Sequence, residues 1–203
     1  MAGPFGYYNW KLALSGRTEV KAEEFGLYSD TSFRSEIGGA DKPYAIFNLV
    51  AWPSTQAAAH MALVLRVSLY FDADEVLAEL QRRLELGERD ISGFYGGGIP
   101  DEFAALFSLA LGVRLRAGPL TREFTAQSGD RGRPVGWDPR NVPSLIRSNQ
   151  AARLPNLANQ AGLDSDLVDK YPTLESDDAI ALLRAARSYQ EAVWNADDDP
   201  NFA

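Results

Sequence analysis

Apolar residues alternate with polar ones at several places in the first 71 positions, and a period of two is the signature of a half-buried strand. In YYNWKLAL, Tyr8, Trp10, Leu12 and Leu14 share one face, while Asn9 and Lys11 share the other. The pattern predicts a strand there, and a shorter one around Phe25 and Leu27. YAIFNLVAW, residues 44–52, is apolar on nearly both faces and predicts a central strand. HMALVLRVSLYF carries the clearest alternation, with Met61, Leu63, Leu65, Val67, Leu69 and Phe71 on one side.

At Asp72 the period lengthens. Val76, Leu77, Leu80 and Leu84 have helical spacing, and Asp72 with Glu75 forms a capping-box pair, so a helix over 72–87 is expected. DEFAALFSLALGVRLRA predicts a second helix, residues 101–117, apolar almost all round and therefore destined for a core. LTREFTA, residues 120–126, reads as a returning strand. Between residues 127 and 170 the pattern dissolves among Pro134, Pro139, Pro143 and Pro155, which predicts an irregular arm or linker. A final amphipathic helix follows, with Ser176 as its N-cap and Leu182, Ala186, Tyr189 and Val193 as its apolar stripe.

These elements define an α+β protein: an N-terminal β-sheet packed with two helices, a proline-rich irregular arm, and a C-terminal amphipathic helix. The expected units are an α+β module over 1–126, an arm over 127–170 and a helical segment over 171–203. The apolar stripe of the last helix is expected to contact a partner helix or a second copy of the chain. The chain ends in NADDDPNFA, where Asp199-Pro200 opens like a helix start and only three residues follow. This reads as the beginning of a second helix cut short.

Composition narrows the chemistry. The absence of cysteine removes disulfides, cysteine–zinc sites and thiol nucleophiles, and fits a cytoplasmic protein. The longest mostly apolar stretch, residues 57–71, contains His60 and Arg66 and is too short to span a bilayer. His60 is the only histidine, so a two-histidine metal site within one chain is impossible. The glycine-rich GFYGGGIPDEF lacks the lysine of a phosphate loop, and Asp101 and Glu102 would repel a phosphate at that helix start. The acidic groups at 72–75, 101–102, 177–178 and 197–199 all stand where a helix begins, and capping accounts for them. No catalytic residue, metal ligand or cofactor site is assigned, and the chain reads as a non-enzyme. A carboxylate- or metal-dependent hydrolase built from those acids is the rival reading.

Charge is unevenly placed. Between Arg114 and Arg153, eight arginines face three acids, giving +5 within a chain of net charge −8. Arg131, Arg133, Arg140 and Arg147, with Trp137 among them, form the candidate binding segment. Arginines with an interleaved aromatic suit single-stranded nucleic acid. The same arginines equally suit the protein's own acidic helices or a protein partner, and the net negative charge favours those readings.

Three stretches, DEFAALFSLALGVRLRAGPLTREF (101–124), GRPVGWDP (132–139) and YPTLESDDAIALLRAARSYQEAVWNADDDPNFA (171–203), resemble uncharacterised bacterial proteins. In that group a β-rich N-terminal region precedes a helical domain similar to the HEPN superfamily. The resemblance covers the second half of the chain. It implies a recognition or regulatory module in a bacterial, defence-related protein, with RNA cleavage in the helical domain. The HEPN catalytic motif, an arginine followed four to six residues later by a histidine, is absent: the nearest arginine before His60 is Arg34.

Overall fold

The structure, a computed structural model, describes residues 4–28, 32–33, 37–38, 42–48, 63–71, 74, 78, 81, 97–125, 136–137, 160–161 and 166–195. Helix α1 spans Phe5–Leu14. Strands β1 (Lys21–Tyr28), β2 (Ser32–Phe33), β3 (Ile37–Gly38), β4 (Tyr44–Asn48) and β5 (Leu63–Leu69) follow. Helix α2 (Ile99–Leu111) leads into β6 (Arg116–Thr125), β7 (Gly136–Trp137) and β8 (Gln160–Ala161). A short helix α3 (Asp166–Asp169), a single 3-10 turn (Tyr171–Thr173) and helix α4 (Ser176–Asn195) complete the order.

The α+β class holds. One six-stranded sheet, ordered β3-β4-β5-β1-β6-β7, is antiparallel at every pairing, and β2 and β8 form a separate parallel pair. On its core face the sheet presents Leu27, Tyr44, Ile46, Leu65, Val67 and Leu69. Helices α1 and α2 cover that face, and α4 packs on α2. Trp10, Tyr44 and Phe103 are mutually in ring contact, and Phe107 stacks edge-on to Tyr44 at 5.2 Å. Removing such a ring costs about 3–5 kcal/mol.

Two expectations need correction. Residues 8–14 are not a strand: they lie in α1, which buries Gly6, Tyr7, Asn9 and Trp10. That spacing is helical, and the alternation of Tyr8, Trp10, Leu12 and Leu14 was coincidental, for Leu14 is 64% exposed. The helix expected over 101–117 stops at Leu111, where Gly112 adopts the left-handed conformation (φ 64°) that ends helices. The returning strand expected over 120–126 is part of β6, which lies beside β1.

The other patterns fare better. The strands expected around Phe25, within 44–52 and within 61–71 are β1, β4 and β5. Asp74, Ala78 and Gln81 are helical, within the helix expected over 72–87, and the Asp72–Glu75 pair lies outside the described residues. Helix α2 is buried on every side from Phe103 to Ser108, as its all-round apolarity implies. Strand β6 begins earlier than expected and is irregular against β1 near Phe25. Pro119 has no N–H to give the ladder there. The Thr121 hydroxyl donates instead to the Glu24 carbonyl, at 2.9 Å.

Candidate functional site

Two acids without solvent contact organise the interior. Glu102 stands in the first turn of α2 and is 2% exposed. Its neighbour Asp101 serves that helix in the ordinary way, accepting from the Gly98 N–H at 2.9 Å. Glu102 turns instead to another helix. Its Oε2 accepts from the Gly6 N–H and its Oε1 from the Tyr7 N–H, each at 2.8 Å. Those are the second and third residues of α1, whose own N-cap, Pro4, offers no side-chain bond. A residue 96 positions away therefore supplies the cap.

A third donor, the Tyr171 hydroxyl, reaches Oε1 at 2.7 Å. Burial pushes the Glu102 carboxyl up to about 7, against the pull of its three hydrogen bonds and of Arg187. The Tyr171 hydroxyl is pushed up as well, by burial and by the adjacent carboxylate. The Tyr7 ring meets Tyr171 edge-on at 5.5 Å, and its hydroxyl donates to the Leu174 carbonyl at 2.6 Å. Gly6 gives the carboxyl its room: a Cβ there would fall 2.8 Å from the Glu102 carboxyl carbon and displace it.

The second acid, Glu24, is fully buried in β1. Register places Arg66 of β5 directly across on one side and Arg122 of β6 on the other. Arg66 Nε donates to Oε1 at 2.8 Å, and Arg122 Nε donates to Oε2 at 2.5 Å. Both guanidiniums lie near the Phe124 ring, at 5.6 and 5.8 Å from its centre. The cluster is two cations around one anion, with Arg66 and Arg122 about a third exposed at their side chains (27% and 35%).

Helix α4 is tied down by polar contacts. The Leu115 carbonyl accepts from Gln190 Nε2, Trp194 Nε1 and Ser108 Oγ. Arg116 forks onto both Glu191 oxygens and lies 5.2 Å from the Trp194 ring. The stripe offered to a partner helix is thus largely engaged at home. Ala186 and Val193 are buried and Leu182 packs on the core, with Tyr189 half-buried. The helix against which α4 packs is α2 of the same chain.

Of the arginine segment, Arg131, Arg133, Arg140 and Arg147 lie outside the described residues, as does His60. Trp137 belongs to β7 and is paired in register with Arg122. Sequence reasoning missed Glu24, Glu102 and Asn9. Asn9 is buried and clamps the end of β5, donating to the Ser68 carbonyl and accepting from the Tyr70 N–H. A polar residue in an aromatic-rich stretch was the available signal for Asn9. Among the described residues, no three metal-ligating side chains cluster, and no helix is long and apolar enough to cross a membrane. Comparison with protein-family models, curated proteins and solved structures gives no significant match.

Proposed function

We propose that this chain is a non-catalytic recognition module that engages an acidic protein segment through its arginine-rich stretch. The observation that carries the reading is the pairing of Trp137 with Arg122 at the outermost strand of the sheet. Arg131 and Arg133 then fall in the connection between two paired strands. Arg116 and Arg122 are matched by Glu191 and Glu24 within the fold. The interior acids support the same reading: Glu102 and Asp101 are occupied as helix caps and Glu24 as a counter-ion.

Single-stranded nucleic acid is the second reading, favoured by the tryptophan among the arginines. The finer placing follows the resemblance of residues 101–124, 132–139 and 171–203. It makes the chain the regulatory part of a cytoplasmic bacterial defence protein with a HEPN-like domain. The absence of cysteine agrees with the compartment.

The test is titration of labelled poly-glutamate and of a short single-stranded RNA, each at rising salt. The reading expects poly-glutamate binding that weakens with salt and is lost in Arg131→Ala/Arg133→Ala at unchanged thermal stability. Binding of the RNA alone transfers the proposal to nucleic acid. Binding of neither overturns it.

A further inference from the structure

Two arginines of β6 meet their acids in different ways. Arg116 Nη2 donates to both oxygens of Glu191, one cation against one anion. Arg122 shares its acid. Glu24 gives Oε2 to Nε and Nη2 of Arg122, and it gives Oε1 to Nε and Nη2 of Arg66. One carboxylate divided between two guanidiniums cancels only part of the charge of Arg122.

Arg122 also stands where β6 pairs with β7: it lies opposite Trp137, and Glu123 lies opposite Gly136. The connection between those strands holds Arg131 and Arg133. The arginine-rich stretch therefore leaves β6 after Thr125, three residues past Arg122, and returns beside it at Gly136. The Arg122 side chain is 35% exposed, whereas Glu24 is fully buried. It is also ordered in advance, with two nitrogens fixed on Oε2 and the guanidinium 5.8 Å from the centre of the Phe124 ring. A side chain held in place beforehand loses little freedom when a ligand arrives. Its third nitrogen, Nη1, takes no part in the Glu24 contact. A guanidinium edge of this kind matches a carboxylate. The next residue, Glu123, belongs to the opposite face by strand alternation and lies 3.6 Å from Lys21 Nζ.

We propose that Arg122 is a preformed anchor for a carboxylate side chain of the acidic protein segment, set at the root of the arginine-rich stretch and held ready by Glu24 and Phe124. The anchor rests on the reading of this chain as a module for an acidic protein segment. It adds a fixed point of contact on the sheet to the contacts of Arg131 and Arg133. Arg116, whose charge is met by Glu191, is not part of it.

The experiment is NMR on the full chain, following the side-chain Nε–H signal of Arg122 while poly-glutamate is added. The anchor expects that signal to move and saturate with the same midpoint as overall binding. It expects Arg122→Gln to weaken poly-glutamate binding roughly fivefold, as for one charged contact at a surface, and to flatten its salt dependence. Arg116→Ala should leave the affinity unchanged. An equal loss in Arg116→Ala overturns the anchor, because affinity then follows net charge alone. Binding of poly-glutamate with a motionless Arg122 signal, or with unchanged affinity in a folded Arg122→Gln, also overturns it and leaves the acidic-segment reading standing. Binding of neither poly-glutamate nor RNA removes that reading and the anchor together. A short single-stranded RNA that moves the Arg122 signal where poly-glutamate does not overturns the carboxylate as its ligand. If Arg122→Gln fails to fold, the wild-type signal and Arg116→Ala decide the matter.

Discussion

Glu24 and Glu102 are two acids removed from water, and the protein compensates them in opposite ways. On the sheet, Glu24 lies between two formal cations, Arg66 and Arg122, brought across from it by strand register. In the helical layer, Glu102 accepts from two peptide N–H groups and a phenol. Full charges in close contact hold an anion firmly, but removing one member strands the others. Peptide dipoles at a helix start stabilise an anion more modestly, and desolvation then pushes its proton affinity up. The difference separates a fixed strut from a group that can change state. The strut lies among strands, and the changeable group lies where helices meet.

The comparison breaks most sharply at the strut. Glu24→Ala leaves two guanidiniums facing each other across β1 and is expected to cost about 3 kcal/mol, the low end for a buried pair because both arginines reach solvent. Urea denaturation reads it. A loss below about 1 kcal/mol would mean that the arginines find other acceptors.

At the helical layer the probe is pH. Glu102 has an ordinary value of 4.5 in the unfolded chain and about 7 in the folded one. Between those values the folded state holds the extra proton. The Glu102 contribution to stability is therefore full below pH 4.5 and is lost as pH rises through about 7, by roughly 3 kcal/mol at most. Denaturation midpoints across that window should fall in the wild type and stay level in Glu102→Gln.

Gly6→Ala is a smaller perturbation. The new methyl would displace the Glu102 carboxyl and lose the cap, while alanine's helix preference returns part of the loss, for a net cost of about 1 kcal/mol. Combined with Glu102→Gln, its effect should shrink, because both changes remove the same contact. The smallest effect belongs to Arg116→Ala. Its partner Glu191 is largely exposed, and the pair is worth about 0.5 kcal/mol.

What could be read from the chain follows the range of the interactions. Strands β1, β4 and β5, the buried α2 and the final helix carry their own periodicity, and the pattern showed them. Helix α1 was misread because its cap comes from Glu102, which no local motif announces, and because its aromatic residues happen to alternate. The acids at the start of α2 were expected to serve that helix. Asp101 does, and Glu102 does not, a distinction that only tertiary packing makes. The Arg66–Glu24–Arg122 cluster depends on register across three strands from distant parts of the chain, so neither composition nor spacing revealed it.

The reach of these contacts also fixes an order of events during synthesis. Glu24 waits for Arg122, 98 residues later, and α1 waits equally long for its cap at Glu102. Tyr171 comes 69 residues after Glu102. At about 5–20 residues per second, each of the first two intervals lasts roughly 5–20 seconds on the ribosome. During that time the leading N–H groups of the first helix have only water as acceptor, and the acid of the central strand has at most one of its two arginines. Both halves of the comparison are thus closed by late-arriving chain, and the first thirty residues cannot reach their final form until most of the protein has been made.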